Sequence, residues 1–313
     1  MNTIYRARRI LTMNPANPEA THVAVQGSRI LGAGTLEELT GWGDHQLDER
    51  FADKVLMPGL VEGHSHTMEG SFWSHVYCGN FDRTDPDGRT WPGLASIDEI
   101  IERLREKDQQ LGEGPAPITG WSLDPIYYGD RRCSRADLDQ VSTTRPIGVL
   151  HASGHIMNVN TKALEMADLM RTGIDHPGIP LGEDGFPTGE TKGPEAMMLV
   201  GIYVGLDREF LSCDEAGLRQ FARLCVRKGV TTAADLANLL PQEAVEMMLR
   251  VTGEAEFPTR IVSLRRFQDL TPRQLIDRAL ELKDLATDRL RLGIVKIVAD
   301  GSIQGFSARL RWP

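Results

Sequence analysis

Cysteine, positive charge and long apolar runs are all in short supply in this 313-residue chain, and each shortage removes a class of protein. The four cysteines, Cys78, Cys133, Cys213 and Cys225, lie far apart and form no C-x-x-C pair. That leaves no basis for a disulfide framework or a thiolate metal site, and they are expected to pack in a reducing compartment. No stretch reaches the roughly 18 apolar residues of a membrane span. The amino terminus, MNTIYRARRILTMNP, carries arginines without the apolar core of a secretory signal, so a cytoplasmic protein is expected. Lys plus Arg number 35 against 44 Asp plus Glu, a formal charge of -9. This argues against nucleic acid or an anionic membrane as partner and for a small-molecule substrate. Also missing are G-x-x-x-x-G-K-[ST], G-x-S-x-G and H-E-x-x-H, which leaves a P-loop NTPase, an α/β-hydrolase and a zincin unsupported.

What is present is 41% hydrophobic and 25% charged, enough for a substantial core, with length suggesting about two domains. The first stretch reads as strands over Ile4–Met13, His22–Val25 and Arg29–Ala33, with Gly27-Ser28 as a turn. The run KVLMPGLVEGHSH from Lys54 lacks clean alternation and reads as a parallel strand buried on both faces. Residues 67–228 mix Trp, Pro and Gly breaks with short elements. Ser96-x-x-Glu99 opens a helix, PAPITGW and RPIGVLHASGH read as strands, and TKALEMADLM reads as a helix. The polar Asp175–Gly193 loop is either a lid or a connector. From Ser212, read as the cap of a helix closed by Gly229, a βαβ rhythm sets in: GVTTAADL, a helix over Pro241–Leu249, TRIVSLRRF, a helix from Thr271-Pro272 to about Leu285, and RLGIVKIVADG.

His64 and His66 stand at i and i+2 at a strand end, so both imidazoles fall on one side, half of a metal site. Two unrelated histidines would show the same pattern. Glu62 continues the alternation, as a supporting residue or an ordinary polar one. Lys296, among Val295, Ile297 and Val298, is an anomaly in an apolar strand. It is a neutral amine able to form a Schiff base or a metal-binding carbamate, or else a lysine paired with Asp300 or Glu281. His151 and His155 suit a substrate contact or the core better than a metal, Gly154 opposing a helix there. Trp73 and Trp121 either line a pocket or pack in the core. Asp300-Gly301-Ser302 follow the Lys296 strand on the side where catalysis would lie.

Taken in order, MPGLVEGHSH, GVTTAADL and VKIVADGS resemble the metal-dependent amidohydrolase superfamily. The pieces GW at 120–121, HASGHIMNVNTKAL at 151–164 and VKIVADGSIQGFSARL at 295–310 resemble the branch containing N-substituted formamide deformylase. The resemblance implies an α/β fold: the first half of a (β/α)8 TIM-type barrel with an N-terminal β-sandwich portion and an inserted α/β subdomain. Residues 1–55 would belong to the sandwich, 56–66 to barrel strand one, 67–228 to the insertion and 229–313 to strands two to four. It further implies a divalent metal, zinc by preference, on His64, His66 and a carboxylated, catalytic Lys296; the residues themselves leave Trp121 and His155 as the expected substrate-binding ones. The reaction implied is hydrolysis of a C–N bond in an N-acyl or N-formyl amine or related amide. Family ligands on later strands have no counterpart before Pro313, and a whole barrel needs roughly 250 residues. The expectation is therefore the N-terminal part of a longer enzyme, inactive alone, with a missing C-terminal half or a second copy as partner. The competing reading is a catalytically incomplete fragment, or a binding or regulatory protein without chemistry.

Overall fold

A computed structural model of the protein describes residues 1–206, 213–266, 270–298 and 308–309. The chain divides into two compact units, Met1–Leu60 and Val61–Pro313. In the first, β1 (Asn2–Leu11), β2 (Glu19–Gln26), β3 (Arg29–Gly34) and β4 (His45–Leu56) form a sheet of order β3-β2-β1-β4. The pairs β1/β2 and β2/β3 are antiparallel, and β1/β4 is parallel. Gly27 takes a φ of +58° at the β2–β3 turn, a conformation in which glycine carries no side-chain penalty. Alternation buries Ile4 and Ala24 against Leu39 of the short helix α1 (Leu36–Thr40), which Thr35 and Glu38 close with a capping box.

The second unit contains two principal sheets. After β5 (Leu60–Ser65), β6 (Val76–Tyr77), the small hairpin β7 (Arg83–Thr84) and β8 (Thr90–Trp91), the chain forms α2 (Ile97–Leu111), β9 (Ile118–Leu123), α3 (Arg135–Asp139), β10 (Ile147–His151), β11 (Ile156–Val159), α4 (Thr161–Met166), β12 (Glu190–Lys192) and α5 (Gly193–Gly201). Five of these strands make a sheet of order β12-β11-β10-β9-β6. Successive strand residues face opposite ways, so Val149 joins a core with Ile100, Leu104 and Leu138 of α2 and α3. Leu150 joins another with Leu164, Ala196 and Val200 of α4 and α5. Helices thus cover both faces of this sheet.

The remaining elements are α6 (Glu215–Arg227), β13 (Val230–Asn238), α7 (Gln242–Gly253), β14 (Arg260–Arg266), α8 (Pro272–Asp284) and β15 (Leu290–Lys296). Their strands form a sheet of order β15-β14-β13-β5, with β13/β14 and β14/β15 parallel. Its helix-facing side buries Ile261, Leu290 and Leu292 against Leu218, Phe221, Val245, Met248 and Leu282. The described residues form no closed barrel.

Two sequence expectations are corrected. The run from Lys54 is not one strand buried on both faces, because it breaks between Leu56 and Leu60 and residues 60–64 are exposed. Helices cover only one side of this sheet, and Pro58, which lacks an N–H, lies in the break. The α6 cap is Asp214, whose carboxylate accepts from the Gly217 N–H at 2.7 Å; Ser212 lies outside the described residues.

Candidate functional site

The C-terminal ends of β5, β13, β14 and β15 carry the histidine pair and Lys296. On β5 the period of two sets His64 and His66 on one face, with Ser65 turned to the opposite, buried one. Their rings meet edge to face, 5.6 Å between centroids and 84° between planes. His64 is exposed, and its backbone N–H donates to Glu62 Oε1 at 2.9 Å. His66 follows the last residue of the strand and is the N-cap position of the 3-10 turn Thr67–Glu69. Its Nδ1 is buried and lacks any hydrogen-bond partner. Burial is the main cause holding the His66 pKa below the usual imidazole range. Asp235 opposes that shift, while His64, Lys296 and Arg266 add to it. A neutral imidazole with an unsatisfied nitrogen is a metal-ligand type of donor.

Lys296 closes β15 opposite Arg266, the last residue of β14. It is half-buried, and its neighbours Ile297 and Val298 are exposed, so the desolvation expected from its apolar flanks is only partial here. The reason is topological: β15 is an edge strand among the described residues. Glu281, one partner weighed for it, instead bridges Arg278 at 3.1 Å. Asp300, the other, lies outside the described residues with Gly301 and Ser302. Among the described residues no group of three or more His, Cys, Asp or Glu could hold a metal, and Lys296 lies near enough to His66 for its charge to lower that imidazole's pKa.

Sequence reading missed two carboxylates. Glu69, half-buried in the turn after His66, is pushed up by burial and further by Glu62 and Asp235, against the Arg83 charge. Asp235 is only 3% exposed and accepts bonds from Thr67, Asn238 and Ser263. The one local signal was an aspartate among apolar residues in GVTTAADL.

Trp121 and His155 belong to the other sheet. Trp121 on β9 is buried, stacked on Phe72 at 5.4 Å and edge-on to Trp73 at 5.1 Å, with Arg83 above its ring at 5.5 Å. Its Nε1 is buried without a partner. Phe72 and Trp73 follow His66 by a few residues, and Met68 packs against the cores of both sheets, so the segment after the histidine pair runs directly to this aromatic cluster. His155 is half-buried in the β10–β11 turn, its carbonyl accepting from Gly193 N–H at 2.8 Å. His151 belongs to the core: its Nε2 lies 2.6 Å from Asn158 Oδ1, and burial lowers its pKa. All four cysteines are buried and unpaired. None of the described helices is long and apolar enough to cross a membrane.

A family profile described as Amidohydrolase family matches residues 52–313. The chain is 26% identical over 312 residues to Protein LONG AFTER FAR-RED 3 of Arabidopsis thaliana, covering 96% of this chain and 50% of that protein. It is 24% identical over 306 residues to N-substituted formamide deformylase of Arthrobacter pascens, covering 93% and 53%. The chain spans about half the length of the curated relatives it matches. In fold it is similar to an uncharacterized metal-dependent hydrolase from Pyrococcus horikoshii, with a TM-score of 0.62 at 17% identity over 96% of this chain and 55% of that one.

Proposed function

Because the chain belongs to the amidohydrolase family, we propose that it contributes the first half of the metal centre of a hydrolase acting on C–N bonds. The substrate class is an N-acyl or N-formyl amine or a related amide. The observation that carries this reading is the convergent pair His64 and His66, one ring nitrogen of which is buried with nothing to bond. The donor set fits a divalent metal, zinc by preference: two imidazoles from one strand end, and Lys296 at the end of a strand in the same sheet. In this reading β5, β13, β14 and β15 are barrel strands one to four, and residues 67–228 are inserted between the first two.

Each side chain has a distinct task. His64 and His66 hold the metal, with His66 kept neutral by burial and so available as a donor. Lys296 adds carbon dioxide at Nζ to form a carbamate, the ammonium giving up two protons in all to solvent, which exchanges a cation for an anionic oxygen donor. A divalent metal supplies Lewis-acid polarisation of a carbonyl and makes water acidic enough to ionise near neutral pH. Trp121 with Trp73 provides an apolar wall for the amine substituent, and His155 is a second substrate contact.

The test is a Zn2+ titration of the chain by calorimetry, beside the His64→Ala/His66→Ala variant and Lys296→Ala. The expected outcome is a single site lost in the double variant and weakened in Lys296→Ala. Binding of undiminished affinity in the double variant would overturn the reading.

A further inference from the structure

His66 is held from both sides by the neighbouring strand. Ser65, immediately before it, donates from Oγ to the Ala234 carbonyl at 2.9 Å. Thr67, immediately after it, donates from Oγ1 to Asp235 Oδ2 at 2.9 Å and from its backbone N–H toward Oδ1 at 3.4 Å. The same Oδ2 accepts from Ser263 Oγ of β14 at 3.0 Å and from Asn238 Nδ2 at 3.1 Å. Exposure is 8% for Ser65, 1% for Thr67, 3% for Asp235, 2% for Asn238 and 0% for Ser263, so water competes for none of these bonds. One carboxylate therefore ties the turn that follows His66 to β13 and β14.

Metal-ligating histidines are ordinarily oriented by a hydrogen bond to their second ring nitrogen. Among the described residues no hydrogen bond to its ring orients His66, so its placement comes through the chain. A carboxylate is the side chain suited to this position. It offers about four acceptor sites and no donor, and every group facing it here is an N–H or O–H. Asn in its place would turn an N–H toward one of these donors and break the pattern.

We propose that Asp235 is a positioning residue for the metal centre: by clamping Thr67 across to Ser263 and Asn238, it fixes where the His66 imidazole stands. The proposal rests on the reading of His66 as a metal ligand. It assigns Asp235 no contact with metal or substrate.

The test uses Co2+ as probe on the chain, in wild type, Asp235→Asn, Thr67→Val and Thr67→Ser, with His64→Ala/His66→Ala alongside. Asp235→Asn is expected to weaken Co2+ binding about 10- to 100-fold and to alter the visible absorption of the bound ion. Thr67→Val, which keeps the carboxylate and the branched side-chain shape, should weaken it in the same direction, and Thr67→Ser, which restores the hydroxyl, should return it to wild type. Wild-type Co2+ affinity and spectrum in Asp235→Asn, whatever its melting temperature, would reduce Asp235 to a core hydrogen-bond acceptor and overturn the proposal. Unchanged Co2+ binding in the double histidine variant would instead overturn the metal reading. Amide exchange at Thr67 in the metal-free chain then decides the clamp by itself: faster exchange in Asp235→Asn supports it, and unchanged exchange overturns it.

Discussion

His75, at the end of the 3-10 turn Ser71–Ser74, is half-buried, and burial together with the Lys107 charge brings its pKa down to about 4. The unfolded chain takes up this proton near 6.5. Between those values the unfolded state binds a proton that the folded state refuses. The corresponding stability is complete above pH 6.5 and is lost as pH falls toward 4. His151 is shifted in the same direction, again by burial, with its Asn158 contact opposing. The urea midpoint is accordingly expected to fall between pH 7 and pH 5, and His75→Gln should shrink that fall without removing it. An equal fall in the variant would show that His75 does not contribute.

At the scale of elements, the segment after the histidine pair depends on a very close approach. A Cβ added at Gly70 would stand 1.9 Å from the Gly217 carbonyl oxygen and 2.7 Å from the Phe221 nitrogen of α6. Backbone conformation is not the reason, since Gly70 has a φ of -62°, which any residue adopts. Contact with the helix backbone is. Gly70→Ala should cost about 1–3 kcal/mol, as overpacking does. Gly41→Ala, with φ of -66° and open space around it, should stay within about 0.5 kcal/mol. Thermal or urea unfolding of the pair reads the difference, and equal stability would mean that α6 moves aside without cost.

For the molecule as a whole, the two compact units differ in how much they bury. Met1–Leu60 holds two small clusters, Ile4 with Ala24 and Leu39, and Ala7 with Ile10 and Ala20. Val61–Pro313 holds three large ones. A unit of about 60 residues buries a smaller fraction of its surface than a large one and is correspondingly marginal. Hydrogen exchange is therefore expected to show the β1–β4 amides opening at lower free energy than those of β9 and β10. A single common opening energy would instead make the two units one cooperative body.

The local signals lay in the residues themselves. The turn at Gly27, the Thr271-Pro272 helix start, the βαβ rhythm after residue 229 and the i, i+2 histidines each arise from backbone preferences and side-chain periods spanning a few positions, so the sequence alone determined them. Tertiary structure decided what those signals meet. Apolarity suggested that the strand of His64 is buried on both faces, yet coverage depends on helices far away in the chain, and they lie on one side only. Trp121 showed no partner in the sequence, and the fold brings Phe72 to stack on its ring and Trp73 to meet it edge-on. Asp235 had no visible partner in GVTTAADL, because the residues it clamps include Thr67, 168 positions away, and Ser263, 28 positions away. A carboxylate's role is set by the donors that folding brings to it, and chain order carries no direct record of that meeting.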